Sequence, residues 1–147
     1  MPEPAPRHGD PRVQAVIALF EGLTPADLPA LRGVYADDAS FKDPFNEVQG
    51  LAAIAAIFEH MFRQLDDPRF TVRELVAEGD ALFLTWDFDF RRRGAGAMRI
   101  HGASHLRFDA GGRVAMHRDY WDAAEELYEK LPLVGALMRW LKRQAAG

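Results

Sequence analysis

Apolar positions recur every three or four residues along the first half of the chain and every two along the second. Val13, Val16, Ile17, Leu19 and Phe20 mark a helix over residues 13–22, stopped by Gly22. Thr24 before Pro25 and Asp27 forms an N-cap with proline at the first helical position. It predicts a second helix running through Leu28, Leu31 and Tyr35 to Asp37 and Asp38. A short strand over 40–43 comes next, terminated because Pro44 has no backbone donor for a ladder. Leu51, Ile54, Ile57, Phe58, Met61 and Phe62 are in helical phase over 51–64, and Asp66, Asp67 and Pro68 close that helix. Strand-like segments then cover 70–77, 81–91, 97–108 and 113–121. Glu78-Gly79-Asp80, Gly94-Ala95-Gly96 and Asp109-Ala110-Gly111-Gly112 separate them as hairpin turns, so the sheet is antiparallel and strongly curved. A last helical tract, 123–144, is interrupted at Pro132 and Gly135. Helices followed by a meander define an α+β fold with the helices packed on one face of the sheet.

Side-chain phase is explicit in two strands. In ALFLTWDFDF, Leu82, Leu84, Trp86, Phe88 and Phe90 share the core face, with Thr85, Asp87 and Asp89 opposite. In MRIHGASHLRF the core face carries Met98, Ile100, Gly102, Ser104, Leu106 and Phe108, so Ser104 is a polar intruder. The outer faces of these neighbours bring Asp87 and Asp89 beside Arg and His side chains, in cross-strand pairs contributing at most roughly 1 kcal/mol each. VAMHRDYW is ambiguous: one phase places Arg118 inside, the other His117 and Asp119.

With 147 residues, 48% of them hydrophobic, the chain forms one domain with a substantial core. A net charge of −4 argues against nucleic acid or an anionic membrane as the main partner and favours a small neutral ligand. The lack of cysteine excludes disulfides and thiolate chemistry. His101 and His105 stand about 13 Å apart on a strand and cannot share one ion, so neither metal nor cofactor is expected. Arg91-Arg92-Arg93 is either an anion clamp or a solvated hairpin end. The proline-rich residues 1–12 read as a flexible leader without a signal sequence, and the expected location is the cytoplasm. The tail, 123–147, is too apolar to lie free: it lids a cavity, packs on the sheet or joins a dimer. Arg139, Lys142 and Arg143 beside Trp140 also suit a membrane interface, although membrane association is not the expectation for the chain as a whole.

The stretch YADDASFKDPFNEVQG, with the helices around it and the HLRFDAGGRV hairpin, resembles the NTF2-like cone fold. Within it the likeness is to the ketosteroid isomerase and SnoaL-like polyketide cyclase branch, over residues 13–122. The resemblance implies a cavity between the helices and the concave sheet, with Asp43 at the position of the isomerase general base. It places Leu19 at the isomerase tyrosine and Ser104 at the protonated acid, so steroid isomerase activity itself is not expected. It turns Ala115, His117, Asp119 and Trp121 inward. The implied pocket has Asp43, His117, Asp119 and Ser104 as its polar points and Tyr35, Phe45, Phe58, Phe62, Trp86, Phe88 and Trp121 as its wall.

The function expected from that pocket is cofactor-free proton transfer on a small hydrophobic carbonyl compound: isomerisation, cyclisation or dehydration. Asp43 would abstract a proton, His117 donate to the oxyanion and Asp119 orient the imidazole. Asp43 equally suits a turn cap, and His117 with Asp119 a buried structural pair. The Asp-Arg-Asp set of epoxide hydrolases on this fold has no place in the pocket. A non-catalytic carrier of a lipophilic ligand and an interaction module are the alternatives, and the resemblance implies a homodimer through the convex sheet face.

Overall fold

The computed structural model describes residues 8–92, 96–126 and 132–146, with the side chains of 132–135 and 138 outside that description. The leader up to residue 7, the hairpin end at 93–95 and the tail residues 127–131 also lie outside the described residues. Helix α1 spans Pro11–Gly22. It starts earlier than its apolar periodicity because Asp10 caps it, accepting the Arg12 N–H at 2.9 Å, and Pro11 occupies the first turn. Helix α2 covers Leu51–Gln64, buries Ile54 and Phe58, and starts after Gly50, whose φ of 100° favours glycine.

The segment expected as a second α-helix is a 3₁₀ helix, Pro25–Gly33. Pro29 lies inside it and has no N–H for the α-helical ladder, so the tighter form is used and ends early. Tyr35 therefore belongs to a strand, β1 (Tyr35–Lys42), which begins five residues before the expected one at Ser40. After the 43–46 turn comes a short strand that the pattern did not predict, β2 (Glu47–Gln49). The meander is β3 (Asp66–Glu78), β4 (Ala81–Arg92), β5 (Gly96–Phe108) and β6 (Val114–Tyr120). Asp66, Asp67 and Pro68, expected to close α2 as a loop, instead open β3.

The sheet order is β2-β1-β6-β5-β4-β3. All its pairs are antiparallel except β1 with β6, which run parallel, with β2, α2 and the β3–β5 meander between them in the chain. Val13, Val16, Ile17 and Phe20 of α1 pack with Ile54 and Phe58 of α2 over Leu82, Leu84, Trp86, Phe88 and Phe90 of β4 and Ile100, Leu106 and Phe108 of β5. In β6 the register shifts between Arg107 and Phe108 of β5, so Val114 and His117 are both buried although three residues apart. Alternation had placed Val114 on the outside.

On the outer face Asp87 takes Arg73 Nε at 2.7 Å and His101 Nδ1 at 2.9 Å, while Arg99 holds both oxygens of Asp89. The hydrogen bond from His101, then that from Arg73, keeps the Asp87 carboxyl below its usual range. Cross-strand register aligns Val76, Phe83 and His105 on this face, with Phe83 stacked on His105 at 4.2 Å. Among the described residues β6 pairs with β5 only as far as Ala103, and the four-residue helix α3 (Ala123–Glu126) lies against β5 beyond that point. There Glu126 accepts the His101 N–H at 3.2 Å. Helix α4 (Pro132–Ala146) ends the described chain.

Gly102 fixes how closely β5 and Trp86 approach. A Cβ there would lie 2.5 Å from one indole carbon and 2.7 Å from the next. Gly102→Ala is expected to cost about 1–3 kcal/mol by overpacking and to alter Trp86 fluorescence, as measured by urea unfolding followed through tryptophan emission. Unchanged stability and emission would show that the indole is free to move aside.

Candidate functional site

A cavity of about 280 Å³ opens between α1, α2 and the concave face of the sheet. Of the expected wall, Phe58, Trp86, Phe88 and Trp121 line it. Three do not. Tyr35 is fully buried behind it, Phe45 is 54% exposed beside Trp121, and Phe62 faces the separate cleft between α1 and β3. The physical reasons differ. Tyr35 starts a strand instead of ending a helix, Phe45 sits in a projecting turn, and Phe62 lies about 40° round α2 beyond Phe58, past the edge of the lining stripe.

Four strands each contribute one or two polar groups to a continuous hydrogen-bonded chain. Trp86 Nε1–H donates to Ser104 Oγ at 2.9 Å, and Ser104 Oγ–H donates to Asp119 Oδ1 at 2.5 Å. His117 Nε2 meets the same Asp119 oxygen at 2.6 Å, and the Tyr35 hydroxyl meets His117 Nδ1 at 2.7 Å. The β5–β6 register places Ser104 opposite Asp119, and the parallel β1–β6 register places Phe41 opposite His117. Phe20 stacks on the imidazole at 5.4 Å and Phe41 meets it edge-on at 4.8 Å. Burial pushes the Tyr35 phenol well above its ordinary pKa, and the nearby Asp119 charge pushes the same way, so Tyr35 keeps its proton. A neutral imidazole then satisfies both contacts in one tautomer: Nδ1 accepts from Tyr35 and Nε2–H donates to Asp119.

Two consequences follow for chemistry. Both nitrogens of the 3%-exposed His117 are engaged, which leaves it no donor for a ligand oxygen. Asp119 takes both its bonds on Oδ1, and Oδ2 accepts none among the described residues while the side chain lines the cavity. Asp43 also reaches the cavity, but its Oδ1 accepts the N–H groups of Phe45 at 2.8 Å and Asn46 at 2.6 Å. The Asn46 side-chain amide adds bonds to both Asp43 oxygens. The carboxylate closes the turn after β1, the role an Asp-Pro step favours.

Lining residues that the sequence reading did not single out include Phe20, Phe41, Phe70 and Ile100, and the polar Asn46, His60 and Gln64. His60 and Gln64 fall three and seven residues after Ile57, which also lines the cavity, so the helical stripe itself was the available signal. No lysine or arginine lines this cavity among the described residues.

An α+β cone whose concave face carries acid and imidazole groups in an apolar hollow is the NTF2-like architecture. The profile of the SnoaL-like domain matches residues 16–117, and the chain belongs to that family. Comparison with curated proteins gave no match. Among solved structures, a protein with a ketosteroid isomerase-like fold from Catenulispora acidiphila, in complex with trimethylamine, superposes with a TM-score of 0.69 at 20% identity, covering 82% of this chain and 92% of that one. An LEH-like epoxide hydrolase of M. tuberculosis gives 0.68 at 19% identity, covering 89% and 96%. A candidate SnoaL-like polyketide cyclase from Jannaschia gives 0.68 at 15% identity, covering 81% and 93%. At these identities the likeness is one of fold.

Because the folded state holds Tyr35 protonated, its contribution to stability is complete below pH about 10, the unfolded phenol value, and declines as pH rises further. Ultraviolet titration is expected to show Tyr35 ionising together with alkaline unfolding. Tyr35→Phe should delete that step and, by orphaning His117 Nδ1, cost about 1–3 kcal/mol at neutral pH. A tyrosine set that ionises fully before the fold is lost would contradict the assignment.

Proposed function

We propose that this SnoaL-like protein performs cofactor-free acid–base chemistry on a small hydrophobic carbonyl compound, with Asp119 as the proton acceptor. The observation that carries the reading is the division of labour between the carboxylates. Asp43 is filled by donors of its own turn, whereas Asp119 is anchored through Oδ1 and keeps Oδ2 without a partner at an apolar wall. Ser104 and His117 hold that carboxylate in one orientation, and Tyr35 and Trp86 hold them in turn, so the acceptor is positioned before a ligand arrives. Oδ2 takes a proton from the carbon beside the carbonyl, leaving an enolate. Returning the proton at another carbon isomerises the compound; attack of the enolate on a second carbonyl, whose oxygen takes the proton from Asp119, closes a ring; and departure of a β-hydroxyl with that proton as water dehydrates it.

His60 and Gln64, one turn apart on α2, also line the cavity and carry hydrogen-bond donors for the enolate oxygen. The volume of about 280 Å³ lies at the lower end for ligand sites and suits a small compound. The lack of lysine and arginine among the described lining residues disfavours carboxylated or phosphorylated ligands. A non-catalytic carrier is the second reading. It is favoured by the engagement of Trp86, Ser104 and His117 with one another, which withdraws their N–H and O–H groups from any oxyanion.

Solvent deuterium exchange at the α-carbon of a panel of enones and aryl ketones separates the two. Asp119→Asn is expected to slow exchange by about 10²–10⁴-fold, while Asp43→Asn keeps most of it and loses stability. Equal exchange in wild type and Asp119→Asn would remove Asp119 from the reaction. Binding without exchange in any variant would favour the carrier. The same reading makes the protein a homodimer through the outer sheet face, where Val76 is 70% and Phe83 51% exposed. Light scattering is expected to give twice the chain mass for wild type and the chain mass for Phe83→Arg; wild type at the chain mass would overturn the dimer.

A further inference from the structure

The cavity carries negative charge in an aromatic wall. Seven of its lining residues are phenylalanine or tryptophan and two are aspartates, while its histidines are His60 and His117. His117 spends both ring nitrogens on Tyr35 and Asp119. The cations nearest in sequence are turned elsewhere. Arg118 alternates with His117 and Asp119 onto the outer face, where its guanidinium lies 4.6 Å over the Tyr120 ring. Lys42, its partner in the β1–β6 register, reaches Glu47 at 3.7 Å. Both carboxylates of the cavity are held by neutral donors: Asp43 by the Asn46 side chain and two turn amides, Asp119 by Ser104 and His117. Asp87 on the outer face is a contrast. It is buried to a similar degree, its side chain 13% exposed against 16% for Asp119, yet it has Arg73 at 2.7 Å and Arg99 at 3.8 Å beside it.

We propose that this cavity binds a small hydrophobic organic cation, a protonated amine that donates its N–H to Asp119 Oδ2 and lays its carbon substituents against the aromatic wall. Charge and desolvation together choose this class. An anion would meet two carboxylates and, among the described lining residues, no lysine or arginine. A neutral compound without a donor would strip water from Oδ2 and leave a carboxylate oxygen unsatisfied, at the full desolvation cost of that group. A protonated amine supplies donor and charge at once, in a charge-assisted bond roughly twice as strong as a neutral one. Aromatic rings attract the positive charge as well as burying the apolar substituents.

The cavity volume of about 280 Å³ restricts the ligand to a small amine. This inference goes beyond the acid–base reading, because it concerns what the carboxylate recognises and not whether it moves a proton. An ammonium group bound at Oδ2 occupies the oxygen assigned to the proton, so where both hold, such an amine inhibits the exchange reaction competitively.

The test is isothermal titration calorimetry of the full-length protein at neutral pH with two probes of nearly the same outline: N,N-dimethylbenzylamine, which is a cation, and isobutyrophenone, an uncharged ketone. Wild type is expected to bind the amine on the order of 10-fold more tightly than the ketone. Asp119→Asn keeps an oxygen for Ser104 and His117 but removes the charge. It should weaken the amine by about 10-fold or more and leave the ketone unchanged, which also shows the cavity intact. Wild type binding the amine no better than the ketone overturns the proposal without recourse to a variant. So does undiminished amine binding by Asp119→Asn, which would put the cation elsewhere. The acid–base reading fails separately. Preferential amine binding lost in Asp119→Asn, with no α-carbon exchange of any ketone, supports this inference and removes that one; exchange that depends on Asp119, with no preference for the amine, does the reverse.

Discussion

The interior of this protein is organised by the requirement that a carboxylate taken out of water be hydrogen-bonded. Asp119 meets it by drawing Ser104 and His117 to one oxygen, and each of those is fixed by a further group, Trp86 and Tyr35. These five side chains come from β1, β4, β5 and β6, so the chain of bonds crosses the concave face and ties four strands to a single register. A slip of one residue in β6 would turn His117 and Asp119 outward and leave Ser104 and Tyr35 buried without their partners, each at about 1–3 kcal/mol. The network thus selects the same register that the apolar core selects.

That coupling explains which parts of the fold could be read from the chain and which could not. The faces of β4 and β5 were legible because uninterrupted alternation of apolar residues leaves one choice of inside, and the ion pairs of Asp87 and Asp89 followed from it. Ser104 was legible as an anomaly; its explanation needed the position of Asp119, fifteen residues away in sequence. Tyr35 was misplaced because Pro29 ends regular α-helix sooner than the apolar spacing suggests, and the residue after Val34 then enters a strand. In β6 the shift at Arg107 and Phe108 breaks a strict period of two, so no alternation rule could give both Val114 and His117.

The candidate site was legible in its membership more than in its roles. Asp43, His117, Asp119 and Ser104 do all reach the cavity. What the sequence could not supply is which lone pairs and protons remain after neighbouring groups are satisfied. Asp43 looked like a base because it stands among aromatic residues before a proline, but the turn amides of Phe45 and Asn46, visible only in three dimensions, occupy it. His117 looked like a donor, yet Tyr35, invisible as a partner while it was assigned to a helix, fills its second nitrogen. Free valences, not residue types, decide chemistry, and they are a property of the assembled strands.

The contact between Glu126 and the His101 amide bears on something other than ligand chemistry. Strand β5 outlasts β6, and among the described residues its ladder from Gly96 to Gly102 is with β4 alone. A sheet margin without a neighbouring strand is a template on which a foreign strand can grow. By occupying one of its donors and laying a short acidic helix along it, the segment after Trp121 acts as a guard against self-templating. In a chain shortened before that helix, this margin would lie open to strand addition.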